Sequence, residues 1–361
     1  MSGPAVWQIP ERHLGEDGLA AAHEAIRRCE AELPVGLAVV SGSLVMGLGH
    51  ALSDLDIYVT SADNSPVPIR GFSNGGFSVQ VTPITVDKLR QLAAHGNSFR
   101  VSSADRTQLG LGVDDNKLLF RLVNGTVLKA LPEFAALVAT IDIHAVRQLT
   151  ILRHASHAVE LQEDVRGALD SADPMTALVA SHRALLHAVE AGLAGVGEIY
   201  DHEKVALRRL ARHAGTSHLL AETWQLLSCG PPLHAPLSEV ADLAIRRCLL
   251  VSHLTGHAVL TGWERPTGAL PQFNPRSAGP IRSYHFGVLR FTDGIALTGS
   301  DYGARITEPM ARLWLACDGG SSDELVHSPL LSGFSADTTK LERALARLVE
   351  VSAVEEMTAT S

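Results

Sequence analysis

An α+β protein in three parts is expected from this chain, and three features of the text carry that expectation. Between residues 35 and 81, apolar runs of strand length alternate with turn and helix text. From 132 to 262, Ala, Leu, Val, His and Arg recur with few strand signals, the text of a helical bundle. After a proline-rich stretch at 263–283, strand text returns and then gives way to helices. The expected parts are a small mixed-sheet domain over 1–131, a helical domain over 132–262, a linker over 263–283 and a winged-helix-like domain over 284–361.

Each element follows from local chemistry. Residues 15–33 place apolar and Ala positions at helical spacing and stop before Pro34. A strand is expected from Gly36 to Val40, then a Gly42-Ser43 turn and a short helix, then a second strand from Leu55 to Thr60. A polar, Pro-containing connection, Ser61 to Pro68, leads toward a third strand at Phe77 to Val81 and a helix from Val86 to Ala94. Further on, Asp170-Ser171-Ala172-Asp173-Pro174 breaks the helical text and starts a new helix. Gly192 to Gly197 and Cys229-Gly230-Pro231-Pro232 interrupt it again. Pro266, Pro271, Pro275 and Pro280 mark an irregular crossing. Tyr284–Leu289 and Gly294–Thr298 read as strands around a Thr292-Asp293-Gly294 turn, with a third short strand at Arg305–Thr307. Glu308 to Cys317 is a helix stopped by Asp318-Gly319-Gly320. Ser321 with Glu324 is a capped helix start, and Asp337 to Val349 is the last helix.

Composition narrows the function classes. The chain has 361 residues, 46% hydrophobic and 19% charged, enough for two or three cores. Its formal charge of −9, without a long Lys/Arg cluster, argues against an extended nucleic-acid track. No apolar run reaches membrane-spanning length, and Met1 to Arg12 lacks the apolar segment of a signal peptide. The four cysteines, Cys29, Cys229, Cys248 and Cys317, form no C-x-x-C pair and fit free thiols in a reducing cytoplasm. His154/His157 and His253/His257 stand in helical text without a third ligand, so a zinc site is not expected there.

The chemistry concentrates in Gly42-Ser43-Leu44-Val45-Met46-Gly47-Leu48-Gly49-His50-Ala51-Leu52-Ser53-Asp54-Leu55-Asp56. Side chains two apart on a strand point to one face, so Asp54 and Asp56 set two anionic oxygens side by side for a divalent cation. Gly42 lets backbone approach a phosphate, and Ser43 can open a helix whose free N–H groups favour an anion. A phosphate cradle and a metal clamp this close point to phosphoryl or nucleotidyl transfer.

Gly-Ser, ten residues, then Asp-x-Asp resembles the signature of the DNA polymerase β-like nucleotidyltransferase superfamily. Gly47 and Ser53 bring it nearer the minimal and antibiotic nucleotidyltransferases, and the likeness covers residues 35–130. The resemblance implies Mg²⁺ held by Asp54 and Asp56, the β- and γ-phosphates of ATP gripped by Gly42 and Ser43, and Ser53 in the nucleotide site. It implies a third carboxylate in an apolar-acid-apolar triplet, which here reads Val79-Gln80-Val81. Gln80 is neutral and cannot serve as a base, although its carbonyl oxygen can ligate weakly. An acceptor already ionised at neutral pH would need no base. Asp87, beyond Pro83, reads instead as a residue of a helix's first turn. Arg121 or Lys117 meets a triphosphate, or makes a surface ion pair. The piece Tyr200-Asp201-His202-Glu203-Lys204 resembles the Tyr…Glu-Lys helix start of antibiotic-type transferases, which offers Lys204 to nucleotide or acceptor.

Ala311-Arg312-Leu313-Trp314-Leu315 followed by Asp318-Gly319 resembles the PqqD-like winged-helix module over residues 284–355. Such a module takes up a leader peptide, and an exposed strand edge can do so as an added strand; packing or dimerisation is the alternative use. Lys340, Arg343 and Arg347 stand among acidic neighbours, which disfavours DNA. The function implied is an Mg²⁺-dependent transfer of a nucleoside monophosphate, AMP from ATP, to a small-molecule or peptide acceptor in natural-product biosynthesis or modification. The alternative is a catalytically degenerate relative that binds a leader peptide or protein partner. Cytoplasmic location, no membrane and no nucleic-acid partner complete the expectation.

Overall fold

Pro34 and the buried run after it set the first boundary: α1 (Gly15–Glu30) stops before the proline, and β1 (Val35–Ser41) is buried at every position. The computed structural model describes residues 13–355 apart from 51, 201, 214–216, 232–233, 275, 277, 300 and 333–337. The expectation at Met1–Arg12, and Ala51, Asp201, Pro232, Pro275 and Asp337 of the segments above, lie outside the described residues. The chain is α+β and divides into two compact units. The first takes the described residues up to Phe99 with Gly110–Val146 and Ile199–Arg208; the second takes Arg100–Leu109, Arg147–Glu198 and the described residues from Arg209 onward.

In the first unit, β2 (Leu55–Ser61), β3 (Arg70–Asn74), β4 (Phe77–Pro83) and β5 (Thr126–Ala130) join β1 in one sheet of order β3-β4-β2-β1-β5. β2 and β4 run parallel and the other neighbours antiparallel, so the sheet is mixed. α1 lays Ala21, Ala22, Ala25, Ile26 and Cys29 on Val40, Ile57, Val59, Val79 and Val81, the inward-facing positions of three strands. Each large aliphatic buried there contributes ~1.5–3 kcal/mol. α2 (Val86–Gly96), capped by Thr85 Oγ1 accepting from Lys88 N at 3.1 Å, α3 (Val113–Asn124) and α4 (Pro132–Ala139) complete the unit with the first residues of α5 (Ile143–Asp170).

Two local expectations are corrected here. The short helix after Gly42-Ser43 is a series of turns at 43–47. Met46 N donates to Gly42 O and Leu48 N to Ser43 O at 2.7 Å, and Gly47 at φ 66° ends the helical path before a second turn can form. The connection after β2 also leads into an unexpected strand. β3 pairs with β4 across Gly75-Gly76, both at positive φ, the two-residue hairpin that such a dipeptide favours.

The second unit holds the rest of α5, then α6 (Pro174–Gly195), most of α7 (Ala206–His213), α8 (Ser217–Ser228) and α9 (Leu237–Leu260). Gly195 lets α6 approach α9 closely: a Cβ there would stand 3.0 Å from Ala258 Cα. The strand-rich C-terminal region is a meander of β7 (Gly287–Phe291), β8 (Gly294–Gly299) and β9 (Tyr302–Ile306), with α10 (Glu308–Ala316), α11 (Ser322–Val326) and α12 (Thr338–Glu350) after it. The stretch expected as linker ends in β6 (Ile281–Arg282), which pairs with β10 (Val354–Glu355). Buried Arg282 donates to Leu315 O at 2.9 Å, and Trp314 Nε1 to Ala353 O at 3.1 Å. The four cysteines are free thiols, and among the described residues no single helix is long and apolar enough to cross a membrane.

Candidate functional site

Alternation along β2 decides where the two acids point. Ser53, Leu55, Ile57 and Val59 are buried, whereas Asp54 is exposed and Asp56 and Tyr58 are partly exposed. Asp54, one residue ahead of the strand, and Asp56 within it therefore share the face away from α1. Parallel register sets Gln80 of β4 beside Asp56, exposed on the same face. On the other side Ser41 of β1 pairs with Asp56; its buried Oγ has no hydrogen-bond partner among the described residues.

Gly42 follows directly, at φ 100°. A Cβ on it would collide with Asp56 Oδ2 and stand 3.3 Å from Arg121 Nη1, so both conformation and space demand glycine. Ser43 is half-buried in the turn and its carbonyl accepts from Leu48 N; no helix begins there, so the helix-terminus phosphate site expected of it is not formed. Ser53 braces the loop: its Oγ accepts from His50 N at 2.8 Å and its own N–H donates to His50 O at 3.0 Å.

Cations close the site. Arg121, on the last turn of α3, points Nη2 toward Asp56 Oδ2 at 3.9 Å and donates from Nη1 to Tyr200 Oη at 2.7 Å. Its guanidinium carbon lies 4.9 Å from the Tyr200 ring centroid, a cation–π contact. Lys204, exposed on the turn Glu203–Val205, adds electrostatic attraction to Asp56. The described residues of 199–208 are pinned over the Gly-Ser loop. Leu48 and Met46 pack with Tyr200 and Val205, Arg208 donates to Leu48 O at 2.8 Å, and Asn124 Nδ2 donates to Ile199 O. Lys117 stays on the helix surface, 4.0 Å from Asp114. Asp87 is exposed in the first turn of α2, 3.2 Å from Arg90.

Burial sets the proton affinities. It raises the Asp56 carboxyl, with Asp54 adding to the rise and Arg121 and Lys204 opposing it. It also pushes the Tyr58 phenol up to about 12. Burial works against Arg121, but Tyr200, Tyr58 and Asp56 outweigh it and hold its charge more firmly. Ser41, Tyr58 and Tyr200 are site residues that the sequence did not mark as such. Tyr58 carries a signal, two residues beyond Asp56 on the same strand face. Tyr200 opens the Tyr…Glu-Lys motif, but its contact with Arg121 arises only through tertiary packing.

The donor set fits a small, oxygen-liganded divalent cation. Asp54 and Asp56 give carboxylate oxygens, Gln80 an amide oxygen, and Ser41 Oγ is the buried hydroxyl beside them. Among the described residues, no group of three or more His, Cys, Asp or Glu side chains is placed to hold a metal, at this site or at the paired histidines.

No protein-family model matches this chain, and no curated protein matches it. Among solved structures, a nucleotidyltransferase-like protein from Exiguobacterium sibiricum is similar over 69% of this chain and 78% of its own, at 15% sequence identity and a TM-score of 0.37. At that distance the likeness carries no argument about chemistry, which rests on the side chains themselves.

Proposed function

We propose that the first unit is a Mg²⁺-dependent nucleotidyltransferase that moves a nucleoside monophosphate, AMP from ATP, onto a small-molecule or peptide acceptor. One observation carries this reading: Asp54 and Asp56 share an open sheet face beside the glycine turn at 42, with Arg121 and Lys204 bringing positive charge to the same place. Bound Mg²⁺ would neutralise phosphate charge and orient the triphosphate for in-line attack. Asp54 and Asp56 hold it through carboxylate oxygens. The Gly42 backbone gives a phosphate close approach, and Arg121 and Lys204 offset its remaining charge. Gln80 can position an acceptor by hydrogen bonding but cannot take its proton. The acceptor therefore arrives already ionised, as a carboxylate or phosphate. Its oxygen bonds to the α-phosphorus as the bond to pyrophosphate breaks, and no proton needs removal. Natural-product biosynthesis or peptide modification supplies acceptors of this kind.

Pyrophosphate release from labelled ATP, with Mg²⁺ and candidate carboxylate or peptide acceptors, tests the proposal. Asp54→Asn is expected to lower turnover by about 10²-fold or more, the loss of a charge used in the transition state. Turnover by that variant equal to the parent's would sink the metal role.

Gln80 also supports a second reading, a degenerate transferase that keeps nucleotide affinity without transfer while the strand-rich C-terminal region recruits a leader peptide or protein partner. Nucleotide binding without pyrophosphate release under any acceptor would favour it.

A further inference from the structure

Arg121 lies beside the carboxylate of Asp56. Its Nη2 is 3.9 Å from Oδ2, too far for a hydrogen bond, while Nη1 is committed to Tyr200 Oη at 2.7 Å and the guanidinium lies against the Tyr200 ring. Among the described residues, the charged groups acting on Asp56 are Asp54, Arg121 and Lys204. A divalent cation arriving alone adds positive charge beside Arg121 and Lys204. A triphosphate arriving alone faces two carboxylates. Each ligand relieves the cost of the other, and Arg121, beside Asp56 and bonded to Tyr200, can couple the two.

We propose, resting on the transferase reading above, that Arg121 is a resting counter-ion for Asp56 that is released to the triphosphate when a divalent cation takes its place, and that Tyr200 is the positioning residue that keeps it loosely held. Cation and nucleotide then bind cooperatively, and each raises the affinity for the other by the same factor. The segment carrying Tyr200 is fixed to the Gly-Ser loop through Leu48, Val205 and Arg208, so the hydroxyl has a defined place from which to hold Nη1. Tyr58, on the same strand face as Asp56, also acts on Arg121.

The test is a binding measurement on the full chain, with Mn²⁺ as the metal, free Mn²⁺ read by electron paramagnetic resonance, and α,β-methylene-ATP as a nucleotide that cannot be cleaved. Arg121→Gln is expected to bind Mn²⁺ without nucleotide at least about fivefold more tightly than the parent, because a competing charge is gone. The same variant binds the Mn²⁺–nucleotide complex about tenfold more weakly, because the phosphate partner is gone. Unfolding or a merely structural role would weaken both, so the opposed signs are diagnostic. Tyr200→Phe keeps the ring but frees Nη1 to close on Asp56, and Mn²⁺ binding without nucleotide weakens. Arg121→Gln leaving Mn²⁺ affinity unchanged or lower overturns the exchange, and Tyr200→Phe without effect removes Tyr200 from it. If the parent binds neither Mn²⁺ nor the nucleotide, the transferase reading itself falls. If it binds both and the signs do not cross, only this inference falls.

Discussion

Gly42 concentrates more constraint than any other position of the candidate site. Its φ of 100° lies where side chains with a Cβ are disfavoured by ~1–2 kcal/mol, and a methyl there would meet Asp56 Oδ2. Gly42→Ala is therefore expected to displace the Asp56 carboxylate as well as to strain the turn. Affinity for the Mn²⁺ complex of α,β-methylene-ATP should fall by about tenfold or more, with a drop of a few degrees in the melting temperature of the unit. Calorimetric titration with melting curves checks both, and nucleotide affinity equal to the parent's would mean that the glycine serves only the turn. The residues of this site divide by how local their causes are. Asp54, Asp56 and Gln80 were legible because strand alternation and a short motif fix which face they take. Tyr58 follows from the same alternation. Tyr200 meets Arg121 across a separation of 79 residues, and no periodicity or spacing encodes that encounter.

Helix starts with a side-chain cap were legible because their chemistry is local, whereas Ser43, which caps no helix, shows the limit of that signal. Asp173-Pro174 opens α6 as its text indicates: Asp173 Oδ1 accepts from Thr176 N at 3.1 Å, and Pro174 takes the first helical position. Ser321 and Glu324 form a complete capping box at α11. Strands short enough to depend on a partner were less legible. β5 is only five residues long and is half exposed, and β6 and β10 exist as strands only because they pair with each other across the length of the C-terminal region. β3 did carry a signal in Gly75-Gly76, but its own residues alternate too weakly to announce a strand. The cap at α6 makes the local contribution measurable. Asp173→Ala leaves Thr176 N without its side-chain acceptor and is expected to cost ~1 kcal/mol of stability in urea unfolding. Nucleotide binding should be unaffected. A loss below a few tenths of a kcal/mol would show that water or backbone satisfies that end equally well.

Acid sensitivity is a property of the chain as a whole, because groups of opposite tendency compete over the same pH range. His257 is lowered to about 3, by burial first and then by Arg282 and Arg312. His253, one turn away, is lowered well below its ordinary value by burial, His257 and Arg282, against backbone hydrogen bonds to Gln272 and Pro271. His285 is lowered to about 4, again by burial first, with Arg166 lowering it further and Asp170 and Asp301 opposing. All three fold as neutral rings, whereas the unfolded chain protonates them near 6.5. Their contribution is thus complete above pH 6.5 and is lost as pH falls toward their folded values, at about 1.4 kcal/mol per pH unit for each histidine that stays neutral in the native state. Glu198, held below its ordinary value by His213 and Arg209 despite burial, adds to the loss at lower pH. Asp56 and Glu163 are raised and pull the other way, since protonating them relieves an unfavourable burial. Carboxylates of the unfolded chain titrate near 4, so between pH 7.5 and 5.5 the histidines dominate. Stability is expected to fall by about 2–3 kcal/mol across that interval from His253 and His257 alone. Tryptophan fluorescence in urea is the suitable probe, because Trp224, Trp263 and Trp314 all belong to the second unit, as these histidines do. His253→Asn should flatten the pH dependence by about one proton. An unfolding free energy unchanged or higher at pH 5.5 would show that these rings are protonated in the folded chain and that burial does not hold them neutral.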